Sequence, residues 1–215
     1  MIYTISCEAF VRLATIARMP STLAAHMRCV MIEHKKGHTY AVATNKHIAS
    51  VQYIGKTKEA DGRVLVQCDD AMLEQCRSIA PYGGTLQITV MIDLQFASAQ
   101  TSYGWVSQTN VALFPVGATQ WDGWRSWTPD HTLEESHGAM FWEVEQIAAL
   151  GAASPSGELV FPEYIDVRMP IVVRDVNDET WFGLFMGYQR GEDGTAENMV
   201  TAVPATLPSW FKRGG

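Results

Sequence analysis

The sequence predicts an α+β fold in which helices pack on antiparallel sheets. Three observations carry this. Short runs rich in β-branched and aromatic residues, such as RCVMIEH, HTYAVAT, VLVQC and LQITVMID, recur between turn signals and read as strands. Between them lie segments with apolar residues at helical spacing, each preceded by a residue able to cap it. Up to residue 115 the order strand, helix, strands occurs twice, which makes two similar halves.

Residues 1–5 alternate like a short strand, and Ser6 can cap the helix that follows, with Glu8 in its first turn. Phe10, Leu13, Ala14 and Ala17 make one buried face of that helix. Arg12 is expected roughly opposite the stripe and Arg18 near the helix end, both reading as solvated charges, and Pro20 forbids continuation. Two strands then flank Lys35-Lys36-Gly37, a hairpin turn with glycine where positive φ is easiest. His34 and His38 stand four apart, a metal spacing on a helix, but on a hairpin they flank the turn and nothing is spaced to complete a site. No metal or cofactor is expected.

AVATNKHIASV, residues 41–51, reads as a strand, a tight polar turn at Asn45-Lys46 and a returning strand. Asn suits a turn position that needs φ > 0. Lys56 to Arg63 is a polar loop and VLVQC a strand. Asp69 or Asp70 caps a second helix whose Met72, Cys76 and Ile79 share a face, and Pro81 with Gly83-Gly84 stops it. Strands around LQITVMID, FASAQ and SYGWVSQTNVALF follow.

WDGWRSWTP, residues 121–129, places three tryptophans within seven residues and cannot be a regular helix. It reads as an aromatic linker packing onto a neighbouring domain, or as a stacking platform for a ligand. AMFWEVEQIAAL is a third helix, with Val144, Ile147 and Ala148 inward, Gly151 closing it, and Glu143 and Glu145 as its charges. After a Ser/Pro/Gly loop at 152–158, strands around YIDVRMPIVVRD and TWFGLFMGYQ are separated by an Asn177-Asp178-Glu179 turn. The tail ends Leu207-Pro208-Ser209-Trp210-Phe211 with basic flanks, a pattern that either packs back or stays disordered.

A net charge of −7 argues against blanket nucleic-acid binding. Residues 1–129 hold 11 Lys and Arg against 9 Asp and Glu, whereas residues 130–215 hold 5 against 14. The first part is therefore the better surface for phosphate contacts. No apolar run approaches a membrane span, nothing in MIYTISCEAF marks it for export, and four scattered cysteines read as reduced core residues of a cytoplasmic protein. Phosphate-loop, dinucleotide, zinc-protease and nucleophile-elbow motifs are missing, and Glu134-Glu135 and Asp69-Asp70 read as loop and cap residues. No enzyme is indicated.

Residues 43–50, Ala-Thr-Asn-Lys-His-Ile-Ala-Ser, resemble the A-T-D-G-H-R-L-A signature in the middle domain of the bacterial polymerase III β sliding clamp. Trp124-Arg125-Ser126-Trp127-Thr128-Pro129 resembles that family's D-W-R-R-V-I-P passage between its second and third domains. Pro170 to Val173 and Leu184-Phe185-Met186-Gly187 look like its last hairpin, with Gly187 in place of a proline. The Leu207 to Phe211 stretch loosely resembles the short peptides by which polymerases grip clamps.

The resemblance implies one full DNA-clamp-like domain at 1–129, a shortened second one at 130–190 and a tail at 191–215. It implies a DNA polymerase processivity factor, a homo-oligomer that could encircle double-stranded DNA and carry a polymerase or other replication protein by a short peptide. Arg12, Arg18 and Arg77 are its candidate DNA-facing residues. Thr44, Lys46, His47, Ile48, Ala49, Pro129, Leu184 and Met186 are its candidate peptide groove, in which Ile48 replaces the family's arginine and Ala49 its leucine. The abbreviation would suit a phage or mobile element, while the acidic third helix departs from the pattern. Two alternatives stand beside this: a clamp-fold binding protein that does not encircle DNA, and a Trp-rich ligand-binding module or enzyme. The last predicts that Trp121, Trp124 and Trp127 line an open pocket.

Overall fold

A computed structural model describes residues 1–19, 28–45, 47–91, 96–101, 109–110, 124–127, 143–161, 170–185, 189–190, 196–197 and 210–211. The first half of the doubled unit runs β1 (Ile2–Ser6), α1 (Cys7–Ala17), β2 (Cys29–Lys35), β3 (His38–Thr44) and β4 (Ile48–Lys56). The second runs β5 (Gly62–Gln67), α2 (Asp70–Ile79), β6 (Thr85–Met91), β7 (Phe96–Thr101) and β8 (Thr109–Asn110). Each half is strand, helix and three strands, as the sequence predicts.

The halves exchange their first strands. β1 pairs with β6 in a sheet ordered β1-β6-β7-β8, and β5 pairs with β2 beside β3 and β4. The junctions match as well: the Cys7 N–H donates to Gly84 O at 2.8 Å, and the Cys68 N–H to Arg28 O at 3.5 Å. Helix starts follow the capping logic, Ser6 accepting from the Ala9 N–H at 3.1 Å and Asp69 from the Met72 N–H at 2.8 Å. The β2–β3 turn puts Lys36 at φ 49° and Gly37 at φ 77°, the mirror-image turn that suits twisted strands.

Beyond the doubled unit lie α3 (Val144–Ala153), β9 (Leu159–Val160), β10 (Ile171–Asp175) and β11 (Trp181–Phe185). These strands extend the sheet that holds β5, β2, β3 and β4 into seven strands ordered β5-β2-β3-β4-β11-β10-β9, all pairs antiparallel. Gln189–Arg190 and Ala196–Glu197 form a separate two-stranded ribbon. The boundary expected between 129 and 130 lies outside the described residues. No helix among the described residues is long and apolar enough to cross a membrane.

Both faces of the long sheet are buried, which explains why CVMI, IVV and WFGLF read as continuous apolar runs instead of alternating ones. Val30, Ile32, Ala41, Ala43, Ile48, Val64, Val66, Ile171, Val173, Trp181 and Phe185 point to the helix-side core, with Phe10, Leu13, Leu73 and Leu150. Cys29, Met31, Tyr40, Val42, Ala49, Val51, Leu65, Val172, Phe182 and Leu184 point to the other face, which carries Trp124 and Phe211. α1 packs against α2 and α3 and touches both sheets, so it is the centre of the helix layer.

α3 corrects the sequence reading. Val144 is exposed at 74% and Ala148 is exposed, whereas Gln146, Ala149, Leu150 and Ala153 are buried. Their spacing of three, four and seven is a good helical stripe, rotated from the expected one, and Gly151 lies within the helix. Leu150 sits over Gly183 of β11, where an added Cβ would come within 2.8 Å of Leu150 Cδ2. Glycine at 183 is what lets α3 approach the sheet.

Candidate client groove and helix face

The turn at residue 45 is built by side chains. Asn45 is 4% exposed and its Oδ1 accepts from the His47 N–H at 3.0 Å and the Ile48 N–H at 2.9 Å. Its own N–H donates to Ile48 O at 3.2 Å, and Thr44 Oγ1 donates to the same carbonyl at 2.8 Å. Lys36 is the one described non-glycine residue with positive φ. Asn45 therefore serves as an Asx-type cap and does not adopt the left-handed backbone expected for it.

β11 lies directly beside the returning strand of this hairpin, with Leu184 opposite Ala49 and Phe185 opposite Ile48. The turn and the final strand, 135 residues apart in the chain, are thus hydrogen-bonded neighbours. The period-two alternation of a strand then divides the candidate groove. Ala49 and Leu184 face the side that carries Trp124 and Phe211. Ile48 is 1% exposed and belongs to the helix-side core, so it is removed from the groove face. Thr44 is also buried, His47 is exposed, and Lys46, Pro129 and Met186 lie outside the described residues.

The tryptophan passage is a single 3-10 turn, Trp124–Trp127. Trp124 is 1% exposed, its Nε1 donating to Glu33 Oε2 at 3.1 Å. Arg125 donates from Nη1 to the same oxygen at 2.5 Å, and its guanidinium lies 4.9 Å from the Tyr40 ring centroid and 4.2 Å from that of Trp124. Glu33, 7% exposed at the end of the apolar run of residues 29–32, is thereby charge-paired and hydrogen-bonded, as a buried carboxylate requires. Burial pushes the Tyr40 phenol up, with Arg125 pulling against it. Trp124 is packed inside the protein, which removes it from any open stacking platform; Trp121 and the side chain of Trp127 lie outside the described residues. Glu33 was not a candidate from sequence, although a lone acid within RCVMIEH signals a charge in need of a partner.

On the helix layer the three arginines separate. Arg12 has a side chain 17% exposed, donates to Glu8 Oε1 at 2.5 Å and reaches Gln52 Oε1 on β4 at 3.4 Å. Gln52 in turn donates to Thr180 Oγ1 at 2.6 Å, just before β11. Arg12 thus lies along the sheet and corrects the solvated position expected for it. Arg18 and Arg77 come together at a shallow cleft of about 230 Å³ lined by Ala14, Thr15, Arg18, Met19, Leu73 and Arg77. Arg18 pairs with Asp70 at 2.6 Å and keeps 40% of its side chain exposed.

His34 stacks on Tyr3 at 4.3 Å and hydrogen-bonds Thr39 Oγ1 and Ile2 O, both at 2.9 Å. His38 Nδ1 meets the Tyr53 hydroxyl at 3.1 Å. No group of three or more metal-ligating side chains occurs among the described residues.

No protein-family model matches the sequence, and no curated protein matches it significantly. Solved structures do. A DNA polymerase sliding clamp from Pseudomonas aeruginosa with ligand superposes with a TM-score of 0.60 at 10% identity, covering 88% of this chain and 66% of that one. A second structure of the Pseudomonas aeruginosa clamp gives 0.58 at 10% identity over 88% and 67%. The DNA polymerase III subunit beta from the same organism gives 0.51 at 11% identity over 88% and 66%. The chain spans about two thirds of the length of these proteins. Over most of its length it has the fold of bacterial DNA polymerase sliding clamps.

Proposed function

We propose that this protein is a sliding-clamp-like processivity factor, assembling with further copies around double-stranded DNA and tethering a DNA polymerase or other replication protein through a short peptide. The observation that supports this most is the pairing of β11 with β4, which sets the signature turn beside the final strand on the face that also receives the tryptophan passage. The doubled, strand-exchanged unit beneath it gives a rigid plate with helices on one side. A hold on DNA by such plates is topological, so it needs few phosphate contacts, and Arg18 and Arg77 are the exposed arginines of the helix layer. A plate of this kind does not close a ring alone, so closed cyclic assembly of several copies completes it.

A second reading has its own support. The helix layer also exposes Glu8, Asp70, Glu74 and Glu145, and Arg12 is turned into the protein. That balance favours a clamp-fold adaptor that binds a replication component without encircling DNA. Light scattering across a concentration series separates the two. A defined multimer supports the ring, and a monomer at every concentration selects the adaptor.

A further inference from the structure

The groove face is already occupied by this chain's own tail. Trp210 lies with its ring 5.3 Å from Tyr53, stacked, 5.8 Å from Tyr40 and 5.7 Å from Phe182. Its Nε1 donates to the backbone oxygen of Glu179 at 2.5 Å. Phe211, 8% exposed, meets Phe182 edge-on at 5.4 Å and Trp124 at 5.8 Å. Register fixes where this is relative to the groove. Ala49 pairs with Leu184 and Val51 with Phe182, all four on one face, so the aromatic pair lies one same-face step, roughly 7 Å, along from Ala49 and Leu184.

We propose that Trp210-Phe211 is the resting occupant of the client groove, and that the client is a short peptide presenting the same adjacent aromatic pair. This rests on the proposed function for what the client belongs to, but its occupant is read from this structure. The walls are also braced by contacts in which the tail takes no part: Tyr40 and Tyr53 pack on one another at 5.7 Å, and Trp124 is held by Glu33. Walls braced in this way keep their binding geometry when an occupant leaves. What the tail adds is two apolar side chains and one indole N–H to a main-chain carbonyl, contacts that any peptide with the same pair reproduces. Among the described residues, 210 and 211 join no β-ladder and no ion pair. Tethering makes the tail an intramolecular competitor, so a client must displace it.

The test uses a fluorescein-labelled peptide of residues 205–211, with a Trp210→Ala/Phe211→Ala peptide as control, against the intact chain and a Trp210→Ala/Phe211→Ala variant. The peptide is expected to bind the variant at least about tenfold more tightly than the intact chain. Equal affinities, or no binding to a variant that still melts cooperatively, overturn the proposal. Should the variant fail to fold, the intact chain decides: millimolar unlabelled peptide should speed trypsin cleavage at Lys212-Arg213 several-fold, and unchanged cleavage overturns it. Retention on circular DNA is scored separately. Its loss with competition intact strikes the clamp reading and leaves the tail as occupant, whereas the reverse strikes only the tail.

Discussion

Replacing Arg125 by alanine tests how the tryptophan passage is fastened to the sheet. The guanidinium is held on three sides, by Glu33 at 2.5 Å and by the rings of Tyr40 and Trp124. Only 15% of its side chain and 10% of that of Glu33 are exposed, so solvent screens the pair weakly. A charge-assisted hydrogen bond contributes about 1.5–3 kcal/mol and a partly desolvated cation–π contact about 0.5–2 kcal/mol. Trp124 Nε1 still donates to Glu33, which limits the penalty of stranding the carboxylate. Arg125→Ala should therefore cost about 3 kcal/mol, which for a chain of this size lowers Tm by about 6–12 °C. Thermal melting followed by near-ultraviolet circular dichroism reads both the midpoint and the tryptophan environment. Arg125→Lys should recover less than half of the loss, because an ammonium lacks the planar fork and the stacking surface. Glu33→Gln in the Arg125→Ala background should restore about 2 kcal/mol relative to additivity. An Arg125→Ala midpoint within about 2 °C of the parent, less than 1 kcal/mol here, would refute the reasoning.

Gly183→Ala should destabilise by about 1–3 kcal/mol in chemical denaturation, since its Cβ meets Leu150 at 2.8 Å and Trp181 at 3.0 Å and both side chains are fully buried. Asp175 is pushed up by burial, but hydrogen bonds from Ser154, Ser156 and Asn177 outweigh this and hold its carboxyl below the usual value. A folded pKa below the unfolded one stabilises above about pH 4 and is lost as the pH falls through the folded value, so Asp175→Asn should flatten the acid limb of the stability profile. Arg18→Ala with Arg77→Ala should lower the slope of log affinity for duplex DNA against log salt by about 2 in fluorescence anisotropy. Arg12→Ala should leave that slope unchanged and lower Tm instead, since its guanidinium is spent on Glu8 and Gln52.

Local chemistry made much of this fold legible. Ser6 and Asp69 announce their helices, Lys36-Gly37 its hairpin, and the order of apolar patterns the doubled unit. The stripe of α3 is poorly legible because EQIAALGAA is small and apolar nearly all round, so periodicity offers little contrast and sets the stripe two positions off. The β4–β11 pairing joins residues 129 to 137 apart, and no local pattern encodes such a contact; it is accessible only through the likeness of two short motifs. Within the groove, that likeness supplied positions but not faces. Strand alternation sends Ile48 to the helix-side core and Ala49 to the groove, a distinction available once the register is known. The cover of the second sheet face, Trp124 with Trp210 and Phe211, is assembled from segments 86 residues apart and left no signal beyond the aromatics themselves.

The most direct measurement of the central claim is retention on nicked circular DNA before and after linearisation. A ring slides off a free end, so co-migration with the circle in gel filtration at moderate salt, and release once the circle is cut, are expected. Equal retention on both forms, or none on either, would contradict a topological hold.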